Sequence, residues 1–202
     1  MDKTIWDRIE SSRERWNVLR HPFYRRWSAG ELTREELARY SGQYRHAVEA
    51  IATLSDAAAD ALPERPQLRH HAAEERGHVR LWDGFVDESG GDTADAATAE
   101  TAECVRAWTA PGDVTETLIR LFAIESGQPE ISATKREGLL GRYGFSEGPG
   151  TAYFRIHESR DVEHAAEVRE LISDIGTDAD EDALVAAAEA AFRANWRLLD
   201  GV

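Results

Sequence analysis

Apolar residues recur with the 3.6-residue period of an α-helix along almost all of this 202-residue chain, and no stretch shows the two-residue alternation of a half-buried strand. The six prolines and most of the glycines fall between the periodic runs. The pattern predicts an all-α fold of packed helices joined by short turns.

A first helix is expected over Thr4 to Leu19, ending before His21-Pro22, where the proline biases His21 away from helix. Thr33, with Glu36 three residues on, forms a capping box opening a helix that runs to about Ala61. Pro63 and Pro66 mark a turn, and a third helix covers Gln67 to Asp87 until Ser89-Gly90-Gly91-Asp92 breaks it. Thr93 to Glu103 reads as a loop or a frayed helix start. Helix resumes from Val114 to Ser126, is interrupted at Gly127-Gln128-Pro129 and continues to about Tyr143. After a loop at Gly144 to Gly150, a long helix runs to Ile175, and a last one covers Asp178 to Leu199 with an Ala-rich face suited to close packing. Residues 1–202 fit one domain, which would bury roughly 70% of the surface of the unfolded chain.

The charge balance narrows the possible partners. Asp and Glu number 38 against 24 Lys and Arg, a net charge of −14 that repels nucleic acid and anionic membrane surfaces. No apolar run is long enough to span a bilayer, and the start lacks the order of a signal peptide. The single Cys104 cannot form an internal disulfide and suits a small packing residue in a reducing compartment, so the expected location is the cytoplasm. Lysine is nearly absent: only Lys3 and Lys135 accompany the arginines, which makes Lys135 conspicuous.

Chemistry concentrates in three segments. His157, Asp161 and His164 stand at i, i+4 and i+7, one stripe of a helix carrying three potential metal ligands. Glu74-Glu75-Arg76-Gly77-His78 supplies a second carboxylate-x-x-His pair, with Glu75 mirroring Asp161 and Glu74 as its rival at i−4 from His78. Glu125 ends an otherwise apolar run. Acidic residues on helices are mostly solvated, and a lone histidine is more often structural than a ligand. A carboxylate buried without a partner is costly, however, and several would rival the whole stability of a domain, about 5–15 kcal/mol. Two divalent cations would remove that cost. Two carboxylate-x-x-His pairs plus a further Glu form the ligand pattern of di-iron and di-manganese helical proteins. Imidazole and carboxylate without thiolate suit iron or manganese better than a cysteine-rich structural zinc. Two-metal hydrolysis remains open on the same ligands.

These residues carry a resemblance. His21-Pro22-Phe23-Tyr24, Trp27 to Thr33, Tyr40 with Gln43-Tyr44, His78 to Trp82, Glu125 to Ile131, Lys135, Gly138-Leu139, Tyr143-Gly144-Phe145 and Ala152-Tyr153-Phe154 ahead of His157 together resemble the haem-oxygenase-like diiron oxidase superfamily. Within it the chain is similar to the group of the chlamydial protein associating with death domains. The likeness implies a bundle of about seven helices, as in the thiaminase-like and pyrroloquinoline-quinone-synthase relatives. It also implies six ligands, Glu75, His78, Glu125, His157, Asp161 and His164, holding Fe/Fe or Mn/Fe, with dioxygen and a reductant as co-substrates. The short E-x-x-H spacing departs from that group and leaves Glu74 open. By the same likeness, p-aminobenzoate for folate synthesis is made from the protein's own Tyr24 side chain, with Tyr40 beside it and Lys135 as amino donor. Two other readings stand beside this one: an oxidase of an external amino acid or fatty acid, and a non-enzymatic interaction protein. The resemblance further allows a homodimer and calls for an electron donor of unstated identity.

Overall fold

The computed structural model describes residues 4–175 and 180–202. Among them are nine α-helices, one 3-10 turn and no strand: α1 (Ile5–Arg15), the turn Val18–Arg20, α2 (Pro22–Ala29), α3 (Arg34–Ala61), α4 (Pro66–Ser89), α5 (Ala99–Trp108), α6 (Val114–Glu125), α7 (Gln128–Arg142), α8 (Pro149–Ile175) and α9 (Glu181–Asp200). Lys3 and the expected helix start at Asp178 lie outside the described residues. No helix among them is long and apolar enough to cross a membrane.

The fold is all-α as expected, and the count exceeds seven for local reasons. Pro22, which ends helix on its N-terminal side, starts α2 on the other: it needs no N–H at the first helical position, and the His21 Nδ1 accepts the Phe23 N–H at 3.1 Å. The first helix stops at Arg15, short of Leu19, and Asn17 caps the separate 3-10 turn by accepting the Leu19 N–H. Thr98 accepts the Thr101 N–H and so begins α5, the element for which a loop or a frayed start was the alternative. Thr33 and Glu36 form the capping box expected of them, with both reciprocal hydrogen bonds present.

Helix α8 lies against α4, α6 and α7, and α4 runs along α3. These contacts bring the histidine- and carboxylate-bearing faces of α4 and α8 together with the end of α6. Helix α9 packs its small face, including Ala188, Ala191 and Ala194, against α1, α5 and α6. Helix α2 reaches the same core by crossing α7 at Gly138, where a Cβ would overlap the Trp27 indole. That indole donates to the Lys135 carbonyl at 3.2 Å, which fixes α2 against the turn of α7 that carries Lys135. Cys104 is fully buried and burial pushes its thiol up, the environment of an inert packing residue.

Candidate metal centre

Helix α4 presents His71, Glu75 and His78 at i, i+4 and i+7, and α8 presents His157, Asp161 and His164 at the same spacing. Glu125, the last residue of α6, closes the gap between them. All seven side chains are buried, none more than 6% exposed. Ligand atoms of His71, Glu75, Glu125 and His164 lie within 4.8 Å of one another, and so do those of Glu75, His78 and His157. Glu75 belongs to both groups, the position of a carboxylate able to bridge two ions.

The polar atoms of this cluster do not satisfy one another. His71 Nε2, Glu75 Oε2, both Glu125 oxygens, His157 Nε2, both Asp161 oxygens and His164 Nδ1 are buried without a hydrogen-bond partner. His71 Nε2 and Glu125 Oε1 approach to 2.6 Å, yet without the direction of a hydrogen bond, as two atoms do when both point at a third. Leaving so many acceptors bare would cost roughly 1–3 kcal/mol each. Burial raises Glu125 and Asp161 well above the usual carboxylate range, and neighbouring carboxylates push both further. Burial also acts to raise Glu75, but the His78 hydrogen bond and the surrounding imidazoles outweigh it and hold this group low. Burial lowers His157 to about 4 and depresses His71 and His164, so these imidazoles keep a free lone pair at neutral pH. Three carboxylates and three imidazoles with bare buried atoms, together with His78, fit two divalent ions, which would neutralise the carboxylates that the metal-free core disfavours.

Outer contacts orient several of these candidate ligands. His78 Nδ1 donates to Glu75 Oε1 at 2.9 Å and His157 Nδ1 to the Tyr153 carbonyl at 2.7 Å, leaving His157 Nε2 to face inward. His164 Nε2 meets Glu74 Oε2 at 3.3 Å, and Arg160 holds Glu74 with two hydrogen bonds. Glu74 therefore meets the outer side of His164, while Glu75 belongs to both groups of candidate ligands. Of the sequence-derived candidates, Glu75, His78, Glu125, His157 and His164 come together in these groups, and Asp161 lies beside them, its Oδ1 3.8 Å from His164 Nδ1. His71 is the one that reading passes over, although H-x-x-x-E-x-x-H on α4 repeats H-x-x-x-D-x-x-H on α8.

A second buried group adjoins the first. Tyr24 and Tyr40 share a hydrogen bond of 2.8 Å between their hydroxyls. Lys135 Nζ is fully buried, has no hydrogen-bond partner and sits among five rings, 4.4 Å from the Tyr44 centroid, 5.4 from Trp82, 5.5 from Phe154, 5.6 from Tyr40 and 5.7 from Tyr24. Burial lowers its ammonium to about 7.

Residues 38–196 match the family model described as an iron-containing redox enzyme. The chain belongs to that family. Among named relatives it is 30% identical to the 4-aminobenzoate synthase of Chlamydia trachomatis serovar D, over 96% of this chain and 90% of the relative. It is 29% identical to the enzyme of the same name from Nitrosomonas europaea, over 98% and 91% of the two chains. A TenA homologue from Pseudomonas syringae superposes with a TM-score of 0.83 at 15% identity, covering 97% of this chain and 89% of that one. A domain with a haem-oxygenase-like fold from Shewanella denitrificans gives 0.80 at 19%, covering 100% and 92%. These two likenesses show the haem-oxygenase-like fold. The family's iron suits the buried histidine and glutamate cluster of α4, α6 and α8.

Proposed function

We propose that this chain is a two-metal, dioxygen-dependent synthase of p-aminobenzoate that takes the aromatic ring from its own Tyr24 and the nitrogen from Lys135. In this reading His71, Glu75, His78, Glu125, His157, Asp161 and His164 would hold two ions, Fe/Fe or Mn/Fe, and Glu75 is the carboxylate common to both groups of candidate ligands. Once bound, the ions would supply dioxygen activation. The rest belongs to the chain's own residues.

The observation that carries the proposal is the Lys135 amine, fully buried and unpaired, above the rings of Tyr24 and Tyr40. An amine lowered to about 7 is half neutral at that pH and largely neutral above it, with a nitrogen lone pair free for bond formation. The Tyr24–Tyr40 hydrogen bond fixes the phenol that would be consumed, and burial raises both phenols, so each keeps its proton until oxidation removes it. Trp27, Phe23, Trp82 and Phe85 wall Tyr40 with rings and exclude water from the pair. Proximity inside one core then stands in for binding of a substrate. The names of the relatives point to the same product.

The test is peptide mass spectrometry of the metal-loaded, reduced protein before and after oxygen, with p-aminobenzoate quantified in the same sample. Loss of side-chain mass at Tyr24 together with released product is the expected outcome. An intact Tyr24 peptide and no product, with metal bound, would refute the reading.

A further inference from the structure

Helix α7 carries a third buried polar stripe, of which the proposed reaction uses only one end. Gln128, Ser132 and Lys135 stand at i, i+4 and i+7, the spacing of the stripes on α4 and α8, and so share one helix face. None is more than 1% exposed. Each ends in an atom without a hydrogen-bond partner: Gln128 Oε1, Ser132 Oγ and Lys135 Nζ. Tyr44 of α3 reaches both ends of the stripe. Its hydroxyl accepts the Gln128 Nε2 hydrogen at 3.2 Å, and its ring centroid lies 4.4 Å from Lys135 Nζ, nearest of the five rings. Asn195 of α9 stands beside the same hydroxyl. With Gly127, Glu130 and Ile131, Asn195 also lines a narrow cavity of about 30 Å³ over the first turn of α7, where Glu130 is exposed.

We propose that Gln128 and Ser132 hold buried water beside Lys135, and that this water carries the lysine's proton outward to the cavity at Gly127. The purpose of the route rests on the p-aminobenzoate reading. Side chains four apart on a helix lie about 5–6 Å apart at Cβ, a gap that one bridging water spans. A buried water needs a few polar partners and roughly 10–15 Å³ of room, and the bare oxygens and the cavity supply these.

To give up its nitrogen, a charged Lys135 must first lose a proton. One N–H bond breaks, its electron pair stays on Nζ, and the proton passes to water and on to bulk solvent, with nothing oxidised or reduced. The neighbouring titratable groups do not take it. Burial raises Tyr24 of α2, Tyr40 and Tyr44 of α3, Cys104 of α5 and Tyr153 of α8, so at neutral pH each already holds its proton. The carboxylates and imidazoles that α4, α6 and α8 turn inward belong to the candidate metal cluster. The polar stripe of α7 is the remaining way out.

The test compares wild type with Ser132→Ala and Gln128→Met. Ser132→Ala removes only one oxygen, so it serves if Gln128→Met fails to fold. A crystal structure of the metal-loaded protein is expected to show water within hydrogen-bond distance of Gln128 Oε1 and Ser132 Oγ. In zinc-loaded protein, which is diamagnetic, the 13Cε resonance of labelled Lys135 is followed through its titration. Wild type should give one averaged line. Each variant should give separate lines for amine and ammonium, because the proton then leaves too slowly to average them. A single averaged line in both variants, or a stripe bonded to protein atoms with no water, would overturn the proposal. Release of p-aminobenzoate by wild type under oxygen is scored separately: its absence refutes the synthase reading, while the line shape still decides the route.

Discussion

Replacing Lys135 by methionine should stabilise the protein, and the gain should fade as pH rises. The buried amine falls to about 7 from an ordinary value of 10.5. Below pH 7 the lysine is charged in both folded and unfolded states, and burying it costs about 5 kcal/mol, from a depression of about 3.5 pH units at 1.36 kcal/mol each. Between 7 and 10.5 the folded amine is neutral and the unfolded one still charged, so the cost shrinks with rising pH, to about 2 kcal/mol at pH 9. Above 10.5 it vanishes. Methionine fills similar space with no charge and removes the whole term. The five rings around Nζ attract the ammonium and offset part of the burial, which makes these figures the upper end. For a chain of this size a gain of about 4 kcal/mol near neutrality would raise Tm by roughly 10 °C. The assay is urea unfolding of wild type and variant at pH 6, 7.5 and 9 with equal metal content, so that metal linkage cancels in the difference. A direct check is available because the chain has only two lysines: with 13C-labelled lysine, Lys135 should titrate near 7, well apart from Lys3. A variant no more stable than wild type at pH 6, or a gain that does not shrink by pH 9, would refute the reasoning. A more stable variant that makes no product would show why a costly lysine stands here.

Other perturbations separate the roles of the cluster. His71→Ala should lower metal content from two ions towards one per chain, whereas Glu75→Gln, which alters the carboxylate common to both groups, should lose both; elemental analysis after desalting reads each. Glu74→Gln should weaken metal affinity about 10- to 100-fold without abolishing binding, since Glu74 orients His164 and lies outside the cluster; competition with a chelator measures it. Loss of both ions on Glu74→Gln would show that this carboxylate is itself a ligand.

Much of this arrangement is legible in the sequence because it is local. The i, i+4, i+7 stripe on α8, the capping box at Thr33 and the buried Glu at the end of an apolar run all follow from helical period and from what a core tolerates. His71 is legible by the same period, and a search for carboxylate-x-x-His pairs passes over it because the histidine precedes its carboxylate by four residues. Helix α2 escapes a proline-stop reading because the same residue is a good helix start. What no local rule supplies is the meeting of Tyr24 from α2, Tyr40 from α3 and Lys135 from α7, which depends on Gly138 admitting Trp27 and on which faces of three helices meet.

The most costly departures of this core from the ordinary rules of stability lie side by side: three buried carboxylates with unpartnered oxygens, an unpaired lysine and a tyrosine hydroxyl without an acceptor. Random drift towards instability would scatter such residues through the chain. Here they are contiguous through ring contacts, from His157 by way of Tyr153 and Trp82 to Tyr40 and the Lys135 cage. Conflict between a residue's own preference and its surroundings, concentrated in one connected volume, is expected where stability has been given up for chemistry. That contiguity is what the proposed synthase reading requires of the cluster and the lysine, and Lys135→Met probes it directly, since the variant should restore stability and remove the product.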